Sequence, residues 1–214
     1  MISEVFQFSL VAFSAIFFVV DPFAVVPIFV IMTEHDDDQK RRRMALKACL
    51  VTAGVLIGFT LFGSLIFKLF SVTLASFKIA GGVLLMITAL DMLQSRASTT
   101  KTSGPEIEEG VHKQDIAIVP LAMPLLAGPG SIATVMVLSA QSQKWWQTIP
   151  IVLSIILTAV IAYFMMRGAN FINRVLGTTG RAVFSRVMGL LLAAIAVEFV
   201  ISGIRDALPE LFKV

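Results

Sequence analysis

Long apolar runs separated by short polar stretches dominate the chain. Read between charged boundaries, they give six candidate spans, over 5–32, 45–67, 72–94, 116–140, 147–166 and 183–204. Each is close to or above the roughly 20 residues that an α-helix needs to cross a bilayer. A transmembrane barrel would show short segments alternating in polarity, whereas these runs are continuous and predict an all-α membrane protein. The first run carries Glu4 in place of a basic start and continues into Asp21-Pro22 without a small-residue cleavage site. It is therefore expected to be a retained span and not a signal peptide.

Composition agrees. Of 214 residues, 57% are apolar and 14% charged, against about a quarter charged in a soluble domain, and six spans leave no room for a sizeable extramembrane domain. The net charge of +3 records orientation and names no nucleic-acid partner. One side of the predicted bundle receives twelve basic residues: Lys40, Arg41, Arg42, Arg43, Lys47, Arg96, Lys101, Lys113, Arg167, Arg174, Arg181 and Arg186. The other receives five: Lys68, Lys78, Lys144, Arg205 and Lys213. The positive-inside rule then places the 33–44, 95–115 and 167–182 loops in the cytoplasm and both termini outside an inner (plasma) membrane. Lys40 to Arg43 read as a topology signal, and His35 with Asp36, Asp37 and Asp38 as a solvated turn. Cys49 is the single cysteine, and His35 and His112 fall in polar loops, so no disulfide, metal site or cofactor is expected.

The polar stretch over 95–114 reads as a flexible linker between two repeats, at 1–94 and 115–214. A shift of 107 residues lays Asp21-Pro22 on Gly128-Pro129 and the third span on the sixth. Ala75, Phe77, Gly82, Leu84, Leu85, Ala89 and Ser95 then meet Ala182, Phe184, Gly189, Leu191, Leu192, Ala196 and Ser202, seven identities in 21 positions. Shared apolar composition would give roughly two or three. Three spans per repeat is an odd number, so the second copy enters the membrane from the opposite side, an inverted duplication of the kind that secondary transporters use for alternating access.

The first and fourth spans carry breaks at matching places, Asp21-Pro22 followed by Pro27, and Pro120 and Pro124 followed by Gly128-Pro129-Gly130-Ser131. Proline removes a backbone donor and crowds the preceding turn, which predicts two half-helices in each span. Pro22 and Pro129 suit the first position of the second half, with Asp21 as N-cap in one and Gly128 in the other. Amides at Phe23, Ala24, Gly130 and Ser131 would then face a central cavity, where helix N-termini favour a carboxylate. The carbonyls before each break suit a cation or ammonium group. Ser131 and Thr134 could add hydroxyls, or bond back to their own helix.

A charge deep in a bilayer costs about 2.5–3.5 kcal/mol or more, which singles out Asp21, Asp91 and Glu198. Asp21 is a cap or a proton or sodium coupling group. Asp91 and Glu198 are expected to be structural or gating, Glu198 reaching toward Ser202 or Arg205. Lys78 is expected to snorkel to the interface, and Gly54, Gly58 and Gly63, together with the repeat-matched Gly82 and Gly189, to allow close helix packing.

Three runs carry a resemblance: Asp-Pro-Phe-Ala-Val-Val-Pro-Ile-Phe at 21–29, Pro-Leu-Ala-Met-Pro-Leu-Leu-Ala-Gly-Pro-Gly-Ser-Ile at 120–132, and Arg-Val-Met-Gly-Leu-Leu-Leu-Ala-Ala-Ile-Ala-Val-Glu at 186–198. They resemble the MarC family of six-span inner-membrane proteins. The family often follows its first break with Ile/Leu-Gly-Asn, where this chain has Phe23-Ala24-Val25, making the pocket more apolar. The resemblance implies no drug efflux; some relatives are described as transporters of small neutral amino acids such as glycine and alanine.

The leading expectation is a secondary transporter of small neutral amino acids with a midplane site of Asp21, Pro22, Phe23, Ala24, Gly128, Pro129, Gly130, Ser131 and Thr134. Proton or sodium coupling and a homo-oligomer both stay open. The alternative is a channel-like or regulatory membrane protein without coupled transport. Enzyme activity is not expected, because no Ser/His pair, His-Glu-x-x-His or Gly-x-Gly-Asp motif occurs in the spans.

Overall fold

A computed structural model describes residues 2–34, 36–94, 121–122, 125–142 and 145–208. Regular structure among the described residues is helical throughout. The helices are α1 (Ile2–Val20), α2 (Pro22–Met32), α3 (Asp38–Leu69), α4 (Leu74–Leu93), α5 (Pro129–Gln141), α6 (Thr148–Arg167) and α7 (Ala169–Ala207).

Five described stretches are long and apolar enough to cross a membrane: Glu4–Met32, Asp38–Gly63, Leu74–Leu93, Thr148–Arg167 and Ala182–Ala207. The fourth predicted span, 116–140, is described only in part, and its α5 portion of 13 residues is about 20 Å long, too short to cross alone. His35 and the 95–114 linker lie outside the described residues.

Local chemistry sets the ends. Asp37 caps α3 by accepting the Lys40 N–H at 2.6 Å, and Thr73 caps α4 through the Ser76 N–H at 3.1 Å; such caps satisfy amides that the first turn leaves open. The chain reverses between α3 and α4 at Ser71, with φ 51°. Helix α7 bends at Gly177, φ 58° and ψ −168°, a conformation that only glycine takes without strain.

Two cores form. Ile16, Phe29, Leu56, Leu126, Ile155 and Met166 belong to the larger, which joins α1, α2, α3, α5 and α6. Val19, Leu85, Ala89, Met92, Leu192 and Ala196 make the smaller, which joins the end of α1 to α4 and α7. The α4–α7 pairing is reciprocal and very close. A Cβ at Gly82 would lie 2.7 Å from the Ala196 carbonyl oxygen, and one at Gly189 would lie 3.0 Å from that of Ala89. Phe23 and Phe184, with ring centres 4.0 Å apart, tie α2 to α7. Outside, Phe6, Leu10, Phe62, Leu153, Phe164 and Leu190 are exposed, an apolar exterior of the kind that lipid solvates.

Two expectations change. Gly54 and Gly58 face open space, with nothing within 4 Å of an added Cβ, whereas Gly82 and Gly189 pack closely as expected and Gly203 joins them. Lys78 does not snorkel: its side chain is 5% exposed and its Nζ lies 2.6 Å from Asp206 Oδ2 and 3.0 Å from Ser202 Oγ. Its partners come from the far end of the chain, so the ammonium is held in the α4–α7 seam.

Candidate functional site

Asp21 separates α1 from α2. Its φ of 52° and ψ of 72° are left-handed, a conformation that aspartate tolerates better than most residues. Its N–H still donates to Phe17 O at 3.0 Å, closing α1, while its Oδ1 accepts the Ala24 N–H at 3.3 Å, opening α2. The residue is 3% exposed. Pro22 takes the first helical position, where its missing N–H removes no helix bond. The Ala24 amide is therefore already occupied and does not face a cavity as expected.

The second segment is built differently. The Ala127 N–H reaches back to Ala122 O at 2.9 Å, a wide π-type turn. Gly128 then extends (φ −72°, ψ 170°), and α5 begins at Pro129 with no side-chain cap. Ser131 Oγ donates to Leu126 O at 3.0 Å and Thr134 Oγ1 to Gly130 O at 2.9 Å. Both hydroxyl protons are spent inside the segment, leaving oxygen lone pairs.

Val19, Leu84, Leu85, Thr88, Gly128, Pro129 and Gly130 line a cavity of about 10 Å³, room for about one water. Three of the predicted site residues, Gly128, Pro129 and Gly130, line it. Asp21, Pro22, Phe23, Ala24, Ser131 and Thr134 do not, although Val19 belongs to the turn that Asp21 closes. Gly130 packs closely on α4: a Cβ there would lie 2.6 Å from Leu85 Cδ2, the end of a side chain that would have to shift. Asp91 is half-buried at the end of α4. Glu198 is exposed on α7 and, among the described residues, has neither an ion pair with Arg205 nor a hydrogen bond with Ser202, whose oxygen serves Lys78.

Sequence reasoning missed the α4 wall. Leu84 and Leu85 look like any apolar residues of a span, and Thr88 carries no charge to flag it. Thr88 is 5% exposed, and its hydroxyl donates to Leu84 O at 3.1 Å; a lone hydroxyl in an apolar run was the available signal.

Residues 6–208 match the MarC family integral membrane proteins. The chain belongs to the MarC family. This MarC-family chain is similar to a UPF0056 membrane protein of Methanocaldococcus jannaschii, 39% identical over 94% of this chain and 98% of that protein. It is also similar to the UPF0056 membrane protein YvbG of Bacillus subtilis, 34% identical over 96% and 98%, and to YhcE of Escherichia coli, 33% identical over 94% and 94%. Those names state a membrane protein and no activity. No solved structure matches the MarC-family chain.

Proposed function

We propose that this chain is a secondary transporter of small neutral amino acids, built as two inverted repeats whose broken first and fourth spans hold the substrate. The observation that carries this reading is the meeting of the uncapped α5 N-terminus, Gly128-Pro129-Gly130, with Val19 of the α1 end around one cavity.

The repeat is supported by the helix breaks. Pro129, which starts α5, follows Pro22, which starts α2, by 107 residues. Gly177 follows Phe70, the α3 cap, by the same interval. The Gly82–Ala196 and Gly189–Ala89 contacts exchange under that shift, as a two-fold relation between α4 and α7 requires.

The chemistry follows from the difference between the two breaks. Asp21 caps α2 with its own carboxylate, while α5 has no side-chain cap. The positive end of α5 is then the place for a substrate carboxylate, and Asp21 provides the negative charge for an ammonium group or a coupling proton or sodium ion. The apolar wall of Val19, Leu84 and Leu85 suits a small aliphatic side chain. A cavity of about 10 Å³ has room for about one water and none for an amino acid, so binding requires the α4–α5 seam to part.

The test is flux of labelled alanine, glycine and serine into liposomes containing the purified protein. Uptake driven by a proton or sodium gradient supports the proposal. Gradient-independent flux indicates a channel-like protein, and the absence of flux under every gradient rejects the transporter reading.

A further inference from the structure

A second cavity, a polar one, shares no lining residue with the first. About 170 Å³ in volume, it is lined by Phe29, Asp38, Arg41, Arg42, Met166, Arg167 and Asn170. It sits where the α2 span ends, the α3 span begins and the α6 span ends, at the edge of the apolar region. Three guanidinium groups against one carboxylate make it cationic. Phe29 and Met166 are fully buried and form a closed apolar floor.

The arginines are not equivalent. Arg41 is fixed: its guanidinium lies 5.7 Å over the Phe29 ring centre and its Nη2 donates to Asn170 Oδ1 at 3.1 Å. Arg42 and Arg167 are exposed and, among the described residues, form no ion pair or hydrogen bond, so their donors stay available. Neighbouring charges are used elsewhere: Lys40 pairs with Asp36 at 2.5 Å, and Arg43 does not line the cavity. The basic run at 40–43 thus does more than set topology. Two of its members turn toward an arginine distant in sequence, over a cavity far larger than the roughly 10–15 Å³ one water needs. All three are arginines, whose planar forks fit the oxygens of a phosphate group better than an ammonium does.

We propose that Arg41, Arg42, Arg167 and Asn170 form a binding site for a phosphate-bearing anion, either a phospholipid headgroup at the membrane edge or free phosphate. Arg41 is the preset anchor, and Arg42 and Arg167 close on the phosphate oxygens. This site is independent of the transport reading.

The full-length protein in detergent is titrated in parallel with dioleoylphosphatidylglycerol, with dioleoylglycerol, and with sodium phosphate against sodium chloride at equal ionic strength, and binding is read by thermal shift and native mass spectrometry. The double variant Arg42→Gln/Arg167→Gln is compared with Lys40→Gln/Arg43→Gln, which removes the same charge outside the cavity. Loss of two charge-assisted bonds lowers affinity at least about tenfold, whereas the control stays within about twofold because exposed charges contribute little. That selective loss supports the site: seen with phosphatidylglycerol but not with inorganic phosphate it assigns a lipid headgroup, and seen with inorganic phosphate it assigns free phosphate. Absence of binding by both phosphate probes, equal binding of dioleoylglycerol, or an equal loss in the control overturns the proposal. Arg42 and Arg167 are exposed, so unliganded thermal stability should match the parent; if the double variant unfolds, the single variants Arg42→Gln and Arg167→Gln are read by the same criteria.

Discussion

Asp21 combines two roles that substitution separates. An asparagine in its place would keep a cap acceptor and tolerate the left-handed backbone, so Asp21→Asn should leave thermal unfolding within about 0.5 kcal/mol of the parent. Asp21→Ala loses the cap and meets left-handed strain, costing about 2–3 kcal/mol. If Asp21 is the coupling group, the asparagine variant loses gradient-driven uptake while staying folded; retained uptake reduces Asp21 to a cap. Lys78 offers a parallel case. Asp206→Ala strands a buried ammonium and should destabilise by about 1–3 kcal/mol, more than Lys78→Met, which leaves behind a carboxylate that is 43% exposed. Equal effects in denaturation would argue against the ion pair. Asp21 was legible because aspartate before proline acts locally on its own turn. The setting of Lys78 was not, because Ser202 and Asp206 reach it only through folding.

At the scale of elements, the α4–α7 seam rests on backbone approach. Gly82→Ala would push a methyl against the Ala196 carbonyl and Val200, and should lower stability by about 1–3 kcal/mol. Gly54→Ala has open space around it and should be neutral or slightly stabilising, by up to about 1 kcal/mol, since alanine favours a helix. A reversed order in thermal unfolding would refute this assignment of the close seams. The glycine spacing of Gly54 and Gly58 was visible in the sequence, yet spacing says which residues share a face and not what that face meets. The helix starts at Pro22 and Pro129 could be read directly, since proline chemistry fixes them. The contribution of α4 to the cavity could not, since Thr88 reaches it through packing of distant segments.

For the whole molecule, the apolar runs gave the helical class and five of the six spans, while positions within the bundle depended on long-range contacts. Arg41, Arg42 and Arg167 illustrate the limit: along the chain they read only as topology signals, and folding places them on one cavity. In the proposed transporter, the cavity at Gly128-Pro129-Gly130 opens alternately to the two sides of the membrane. Thr88 lines it, and Cys49 is the single native cysteine, so a Cys49→Ala/Thr88→Cys variant carries one reporter thiol. Its reaction with a membrane-impermeant maleimide, applied from each side of proteoliposomes, is the most direct measurement. Labelling from both sides, slowed by alanine, is the predicted result; labelling from one side only, or none from either, with no effect of alanine, glycine or serine, would contradict the account.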